Sequence, residues 1–400
     1  MITKSMSKNL VASLCLLLVS TTGVAQTEKG KGNLFKKIES IASRNMVHGV
    51  DTNYVKTPSR PWQISVRTRV AQTDLDMHSR IDGERVFDGT FLNPQVKGTG
   101  VLETDPRFIT QVSTSLGVKV GYRGLSASYS FHIGGQKGQS IALKSAGSWY
   151  SLNMRWHRFK MNTPTIRFAG QMLVRDDEQS PWSEVPESYE FKDKMPLESP
   201  IKISTLMFDG FYIFNRKKFS YAAAYTQKTF QVRSAGSFLA GLTAYYADFD
   251  YSNKRNADFF AAMDDIGRLR QYQVSVGAGY AYNFVPAKGW ILSAMFMPTM
   301  TVLNRTKVNS YQTNYKEVDE RHELDYEVDY ADEYEVISKE SHSHNNRIAL
   351  NFNARVSITY NWDRYFINAN GQFDNNNFRH SGLRGHLNDW YINASVGVRL

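Results

Sequence analysis

From Trp62 to Leu400 the chain keeps returning to one pattern, a short run in which apolar and polar side chains alternate. Trp62, Ile64, Val66 and Val70 stand against Gln63, Ser65, Arg67 and Arg69. Tyr272, Val274 and Val276 stand against Gln273 and Ser275. The last run sets Trp390, Ile392, Ala394, Val396 and Val398 against Tyr391, Asn393, Ser395, Gly397 and Arg399. Period two makes each run a strand with one apolar and one polar face. Runs of about ten residues suit a tilted strand crossing a bilayer.

Composition narrows the choice to an all-β chain. The 400 residues are 42% hydrophobic, too apolar for a disordered chain. The mean hydropathy of −0.44, with no second long apolar run, excludes a helical membrane protein. The first segment reads as an export signal: Lys4 and Lys8 precede the apolar run Leu10 to Val19, and Gly23-Val24-Ala25 place small residues before a cleavage at Gln26. The single cysteine, Cys15, lies inside that leader, so the mature chain offers no thiol for catalysis, disulfides or metal. The organisation expected is a signal peptide over 1–25, a periplasmic segment over 26–60 with an amphipathic stretch at Leu34, Phe35, Ile38 and Ile41, and a barrel over 61–400.

Strands are expected near 61–72, 110–121, 124–133, 148–159, 164–174, 202–214, 219–230, 271–285, 290–300, 346–361, 364–374 and 389–400. The connections between them alternate short and long, as periplasmic turns and external loops do in a transmembrane barrel. A soluble sandwich has no reason to alternate this way. The expectation is therefore an antiparallel transmembrane β-barrel of about twelve strands. Phe238 to Phe249 alternates too, but a thirteenth strand breaks the even parity, and it is assigned to the long connection 231–270. Aromatic residues such as Trp62, Trp149, Trp290, Tyr360 and Trp362 fall near strand ends, where an interfacial girdle places them.

Particular residues resemble a known family. Asp51-Thr52-Asn53-Tyr54-Val55 with Arg60-Pro61-Trp62, Gly121-Tyr122-Arg123-Gly124-Leu125, Arg233-Ser234-Ala235-Gly236-Ser237, and Asn388-Asp389-Trp390-Tyr391 running to Arg399-Leu400 are similar to a family of outer-membrane barrels common in Bacteroidetes, domain of unknown function 4421. The resemblance covers about residue 50 to the end. It implies the outer membrane of a Gram-negative bacterium and brings no chemistry with it.

The residues themselves assign no catalytic, cofactor or metal site. Tyr225-Thr226-Gln227-Lys228 loosely resembles a strand of outer-membrane phospholipases, but their His-x-Ser-Asn-Gly pattern is missing, since His132 is followed by Ile133-Gly134-Gly135. Ser341-His342-Ser343-His344-Asn345 has the residue types but lies far from Tyr225 in the chain. Residues 317–340 hold eleven acids, with Asp325, Glu327 and Asp329 on one face, in no closed cation-ligand spacing.

The polar strand faces say more. With the apolar set toward lipid, the lumen receives a basic cluster: Arg67, Arg69, Lys119, Arg155, His157, Arg167, Lys228, Arg347, Arg355 and Arg399, opposed by Asp374. Such an excess demands water, anions or an inserted acidic segment. Either part of 317–340 folds into the mouth, or the pore is wet and prefers anions. The net charge of +10 does not point to nucleic acid, because the basic residues lie within strands rather than in a patch. The function classes that follow are a structural or interaction barrel and a narrow, porin-like anion-preferring channel, with an outer-membrane lipid hydrolase as the alternative. The partners expected are outer-membrane lipid or lipopolysaccharide and small anions.

Overall fold

The computed structural model describes residues 46 and 48–400, apart from 83–84, 88–94, 136, 176–180, 182, 184–186, 257–258, 260–265, 316–333, 346–347 and 381–382. The expected signal peptide, the amphipathic stretch at 34–41 and most of the acidic run lie outside the described residues.

In chain order the strands begin with β1 (Val55–Lys56), β2 (Trp62–Asp82), β3 (Arg85–Phe87), β4 (Gln95–Ile109), β5 (Ser113–Tyr122), β6 (Leu125–Gly134) and β7 (Gly138–Ala146). Next come β8 (Tyr150–Met161), β9 (Thr165–Arg175), β10 (Glu187–Lys194) and β11 (Ile201–Ile213). A short helix α1 (Tyr221–Tyr225) and β12 (Phe230–Gln231) precede β13 (Ala235–Asp250), β14 (Ile266–Phe284) and β15 (Trp290–Tyr315). The chain closes with β16 (Tyr334–Asn345), β17 (Leu350–Asn361), β18 (Tyr365–His380) and β19 (Leu383–Arg399).

Twelve antiparallel strands close a barrel: β2, β5, β6, β7, β8, β11, β13, β14, β15, β17, β18 and β19, with β19 returning to β2. The closing seam pairs Val66 with Val396 and Arg67 with Ser395. The remaining strands stand beyond this wall. β4 pairs with the upper half of β2 and with β9, β10 pairs with β9, and β16 pairs with the upper part of β15. Within the membrane, closure leaves no unpaired strand edge, which lipid requires.

The expected strand count holds through two compensating corrections. The run at 164–174 becomes β9, which pairs above the wall with β4 and β10 rather than within it. The run at 219–230 is no spanning strand; it contains α1 and folds inside the barrel. Two other segments take their places. Residues 138–146, read as loop, form β7 after a tight turn, with Gly135 at φ 78. Residues 235–250, assigned to a long connection on parity, form β13.

The faces follow the alternation. Val66, Val118, Val356, Ile392 and Val396 point outward, and the first and last are 53% and 60% exposed. Their partners in the alternation, such as Ser65, Arg67, Lys119, Ser357 and Asn393, are buried. An apolar belt of this extent is not tolerated in water and matches acyl chains. Val396→Arg is therefore expected to cost about 2–4 kcal/mol near the midplane. Urea unfolding of the variant in phospholipid vesicles measures it, and an unchanged midpoint would mean that the belt does not face lipid.

The inside is filled in three layers. At the end with the short turns, Phe211, Ile213, Leu239, Ala281, Met295 and Met297 pack around Phe219, Tyr221, Ala224 and Tyr225 of the inserted segment. At the opposite end, Leu75, Met77, Phe159, Met161, Ile203, Phe249, Leu269, Phe378 and Leu387 form a second apolar cluster. Between them lies a layer of charged and amide side chains.

Candidate functional site

The charged layer is built by inward positions of strands on opposite sides of the wall. Arg355 on β17 meets Asp209 on β11, Nη2 to Oδ2 at 2.8 Å, with both side chains buried. Asn153 donates to the same Asp209 oxygen at 2.7 Å. Arg355 also donates to Tyr221 Oη of α1 and to Asn353 Oδ1. Asn353 and Gln372 in turn donate to the Asp374 carboxylate. Arg155 on β8 pairs with Asp389 and lies 3.8 Å from Asp374. Tyr391 presents its ring to the guanidinium groups of Arg69 and Arg155, at 4.5 and 4.7 Å.

Four of the other basic residues, Arg67, Arg69, Lys119 and Arg399, are held by neutral acceptors, while the buried Lys228 Nζ has no hydrogen-bond partner among the described residues. Arg67 donates twice to Ser130 Oγ, and Arg69 donates to Asn393 Oδ1 at 2.8 Å. Lys119 donates to Gln227 Oε1 at 3.1 Å. Arg399 donates to the Gln227 carbonyl at 3.1 Å and to Asn361 Oδ1 at 2.6 Å. Thus Arg67, Arg69, Lys119, Arg155, Arg355 and Arg399 are brought inside the wall. Lys228 is also inside, but on the inserted segment rather than on a strand. Arg167 is not in the lumen: it lies on β9 and pairs with Glu190. Arg347 falls outside the described residues.

Two carboxylates that oppose this cluster were missed. Asp209 shares inward parity with Met207 and Phe211, and Asp389 with Tyr391 and Asn393, so the alternation carried the signal. Whether 317–340 enters the mouth concerns mostly residues outside the described ones; Asp209, Asp374 and Asp389 already supply counter-charge from the wall itself.

The inserted segment closes the turn end of the lumen. Ser220 caps α1 by accepting from the Ala223 N–H. The Ala224 carbonyl at its far end accepts from Ser357 Oγ at 2.7 Å, and also from Thr359 and Asn368. Asn283 donates to the Ser220 carbonyl at 2.9 Å. A five-residue helix is far below the length that is stable alone, so these wall contacts hold it. Gln227 adopts φ 57, a left-handed conformation that costs a non-glycine residue about 1–2 kcal/mol. Its carbonyl accepts from both Gln63 and Arg399, which offsets that cost. Outside this segment, β12 pairs with β1, and the Asp51 N–H donates to the Lys217 carbonyl, so residues 51–56 lie against the turn end of the barrel.

Tyr225-Thr226-Gln227-Lys228 is part of the inserted segment, not a strand on the outer face. The pair His132 and His157 face each other, Nε2 to Nε2 at 3.2 Å. Among the described residues no three His, Cys, Asp or Glu side chains group as metal ligands.

The family model for the domain of unknown function (DUF4421) matches residues 50–399. This chain belongs to the DUF4421 family. Its matched region spans β1 through β19, so the inserted segment and the charged layer both lie within it. No curated protein matches the chain. Among solved structures, similarity is found to the outer-membrane protease OmpT of Escherichia coli, at 7% identity, covering 86% of this chain and 98% of that one, with a TM-score of 0.27. An outer-membrane channel of Pseudomonas putida F1 is matched at 9% identity over 86% and 97% of the two chains, with a TM-score of 0.25. A Pseudomonas aeruginosa FadL homologue is matched at 9% identity over 84% and 90%, with a TM-score of 0.23.

Proposed function

We propose that this DUF4421 barrel is a closed structural or interaction protein of the outer membrane, and not a conduit. The observation that carries this reading is the filled interior. The inserted segment and its apolar neighbours occupy one end, an apolar cluster occupies the other, and the charged layer between them is bonded across the wall. A porin-like pore needs a continuous polar lumen, and here inward positions such as Leu75, Ile203, Phe249 and Leu269 are almost wholly buried.

The parts free to act are those above the wall. β2 has 21 residues and β15 has 26, about twice or more the 9–11 or so that a crossing needs. With β4, β9, β10 and β16 they raise sheet beyond the membrane, where partners can be met. Lipid covers the apolar belt.

Planar-bilayer recording of the purified full chain tests the reading. The expected result is insertion without resolvable conductance steps. Steady steps, selective for anions or for cations, would overturn it in favour of a channel.

A further inference from the structure

The short-turn end carries a second feature that the closed-barrel reading does not use. Nearly every connection there presents a cation to solvent. Arg123 forms the turn between β5 and β6, Lys217 and Lys218 lead into the inserted segment, Arg233 leaves it, Lys288 lies between β14 and β15, and Arg364 lies between β17 and β18. All except the half-buried Arg123 are exposed. The acids found at this end among the described residues are already engaged. Asp363 pairs with Arg60 at 2.7 Å, and Asp51 accepts from the Asn53 N–H.

These cations sit at the level of an aromatic girdle. Trp62 packs against Tyr122 with ring centroids 4.7 Å apart, Trp149 against Tyr150 at 4.7 Å, and Trp290 against Tyr360 at 4.7 Å, with Trp362 edge-on to Tyr360 at 4.4 Å. Several cations lie over the rings themselves: Arg123 over Tyr122, Arg364 over Tyr365, and Lys218 over Tyr54 at 5.1 Å. Stacking holds the charged heads at the rim and cuts the entropy lost when they bind. An aromatic belt marks the headgroup level of a bilayer, so the collar stands where lipid phosphates lie.

We propose that this basic collar is a binding surface for anionic phospholipid headgroups of the leaflet on the short-turn side. The chemistry is phosphate recognition by a ring of lysine and arginine side chains, with the girdle rings seated between the headgroups. The acyl chains of the same lipids continue onto the apolar belt above. The spread of the cations around the perimeter fits many separate headgroups in a ring rather than one compact ligand.

This inference rests on the barrel being embedded in a membrane, and the experiment separates the two. The full chain is reconstituted into vesicles of phosphatidylcholine with phosphatidylglycerol. Spin-labelled phosphatidylglycerol or phosphatidylcholine then reports which lipid is motionally restricted at the protein surface. The expected result is a preference of about three- to fivefold for the anionic lipid. It should fall toward unity at high salt, and in a variant carrying Arg123→Gln, Lys217→Gln, Lys288→Gln and Arg364→Gln. Free inorganic phosphate at millimolar level should leave the preference in place, since a headgroup anchored in the leaflet is locally far more concentrated. Insertion with equal restriction of both lipids would overturn the collar and leave the barrel reading intact. No restricted component from either lipid would overturn the barrel reading itself. Full preference retained by the four-fold variant would also overturn the collar, and circular dichroism of that variant checks that it is folded.

Discussion

Asp209→Ala is expected to destabilise the barrel by about 3–5 kcal/mol. The substitution leaves the Arg355 guanidinium buried without its 2.8 Å carboxylate, and removes the acceptor for Asn153. Breaking one side of a buried ion pair costs far more than the pair contributes, because the abandoned charge has no water to turn to. The double variant Asp209→Leu with Arg355→Met should recover more than half of that loss, since both charges leave together. Tyr221 and Asn353 then lose a donor each, which keeps the recovery incomplete. Urea titration in phospholipid vesicles, followed by tryptophan emission, gives all the values. A single-variant loss below about 1 kcal/mol, the range of solvated ion pairs, would show that the charged layer is wet.

The second large effect concerns access to the lumen. Ser357 is buried on β17 and donates to the Ala224 carbonyl of the inserted helix. Ser357→Cys, in a chain whose own Cys15 has been changed to serine, should resist a water-soluble maleimide in the folded barrel. Replacing 217–235 with a short hairpin turn is topologically permitted, because the Phe214 N–H already bonds the Phe238 carbonyl across the base of β11 and β13. In that shortened chain the same cysteine should react within minutes. The gain is expected to be tenfold or more in rate, as a measured outcome. Conductance should still be absent, because the apolar cluster of Leu75, Ile203, Phe249 and Phe378 closes the other end. Fast labelling of Ser357→Cys with the segment in place would mean that the segment does not seal the barrel.

Much of this is legible in the alternation alone. The parity of Trp62 to Val70 assigned Ile64 and Val66 to lipid and Arg67 and Arg69 to the interior; in the structure the first two are exposed and the last two buried. The basic interior was legible for the same reason, since parity propagates along a strand without further information. Asp209 and Asp389 could have been found by extending that parity to the next strands. The expected first strand ends at 72, short of where its inward face turns apolar. On β2 the inward series runs from Arg67 and Arg69 to Leu75 and Met77, and on β8 from Arg155 to Phe159 and Met161. An apolar inner series on a strand that continues past the membrane looks, in sequence, like a change of face.

The inserted segment was not legible at all. Phe219 to Phe230 is rich in alanine and aromatic residues and reads as well for a short strand as for a helix. Its helix has no intrinsic stability, and its carbonyls are satisfied by Ser357, Thr359 and Asn368, residues more than a hundred positions away. The sequence by itself determined that the chain closes into a barrel and, on the wall strands it located, which face turns outward and which inward, because period-two alternation and unpaired strand edges are local facts that lipid judges one strand at a time. Only the tertiary structure decided that the barrel is filled, because whether a lumen is a pore or a core depends on side chains from opposite walls meeting in the middle, and no local pattern encodes that meeting.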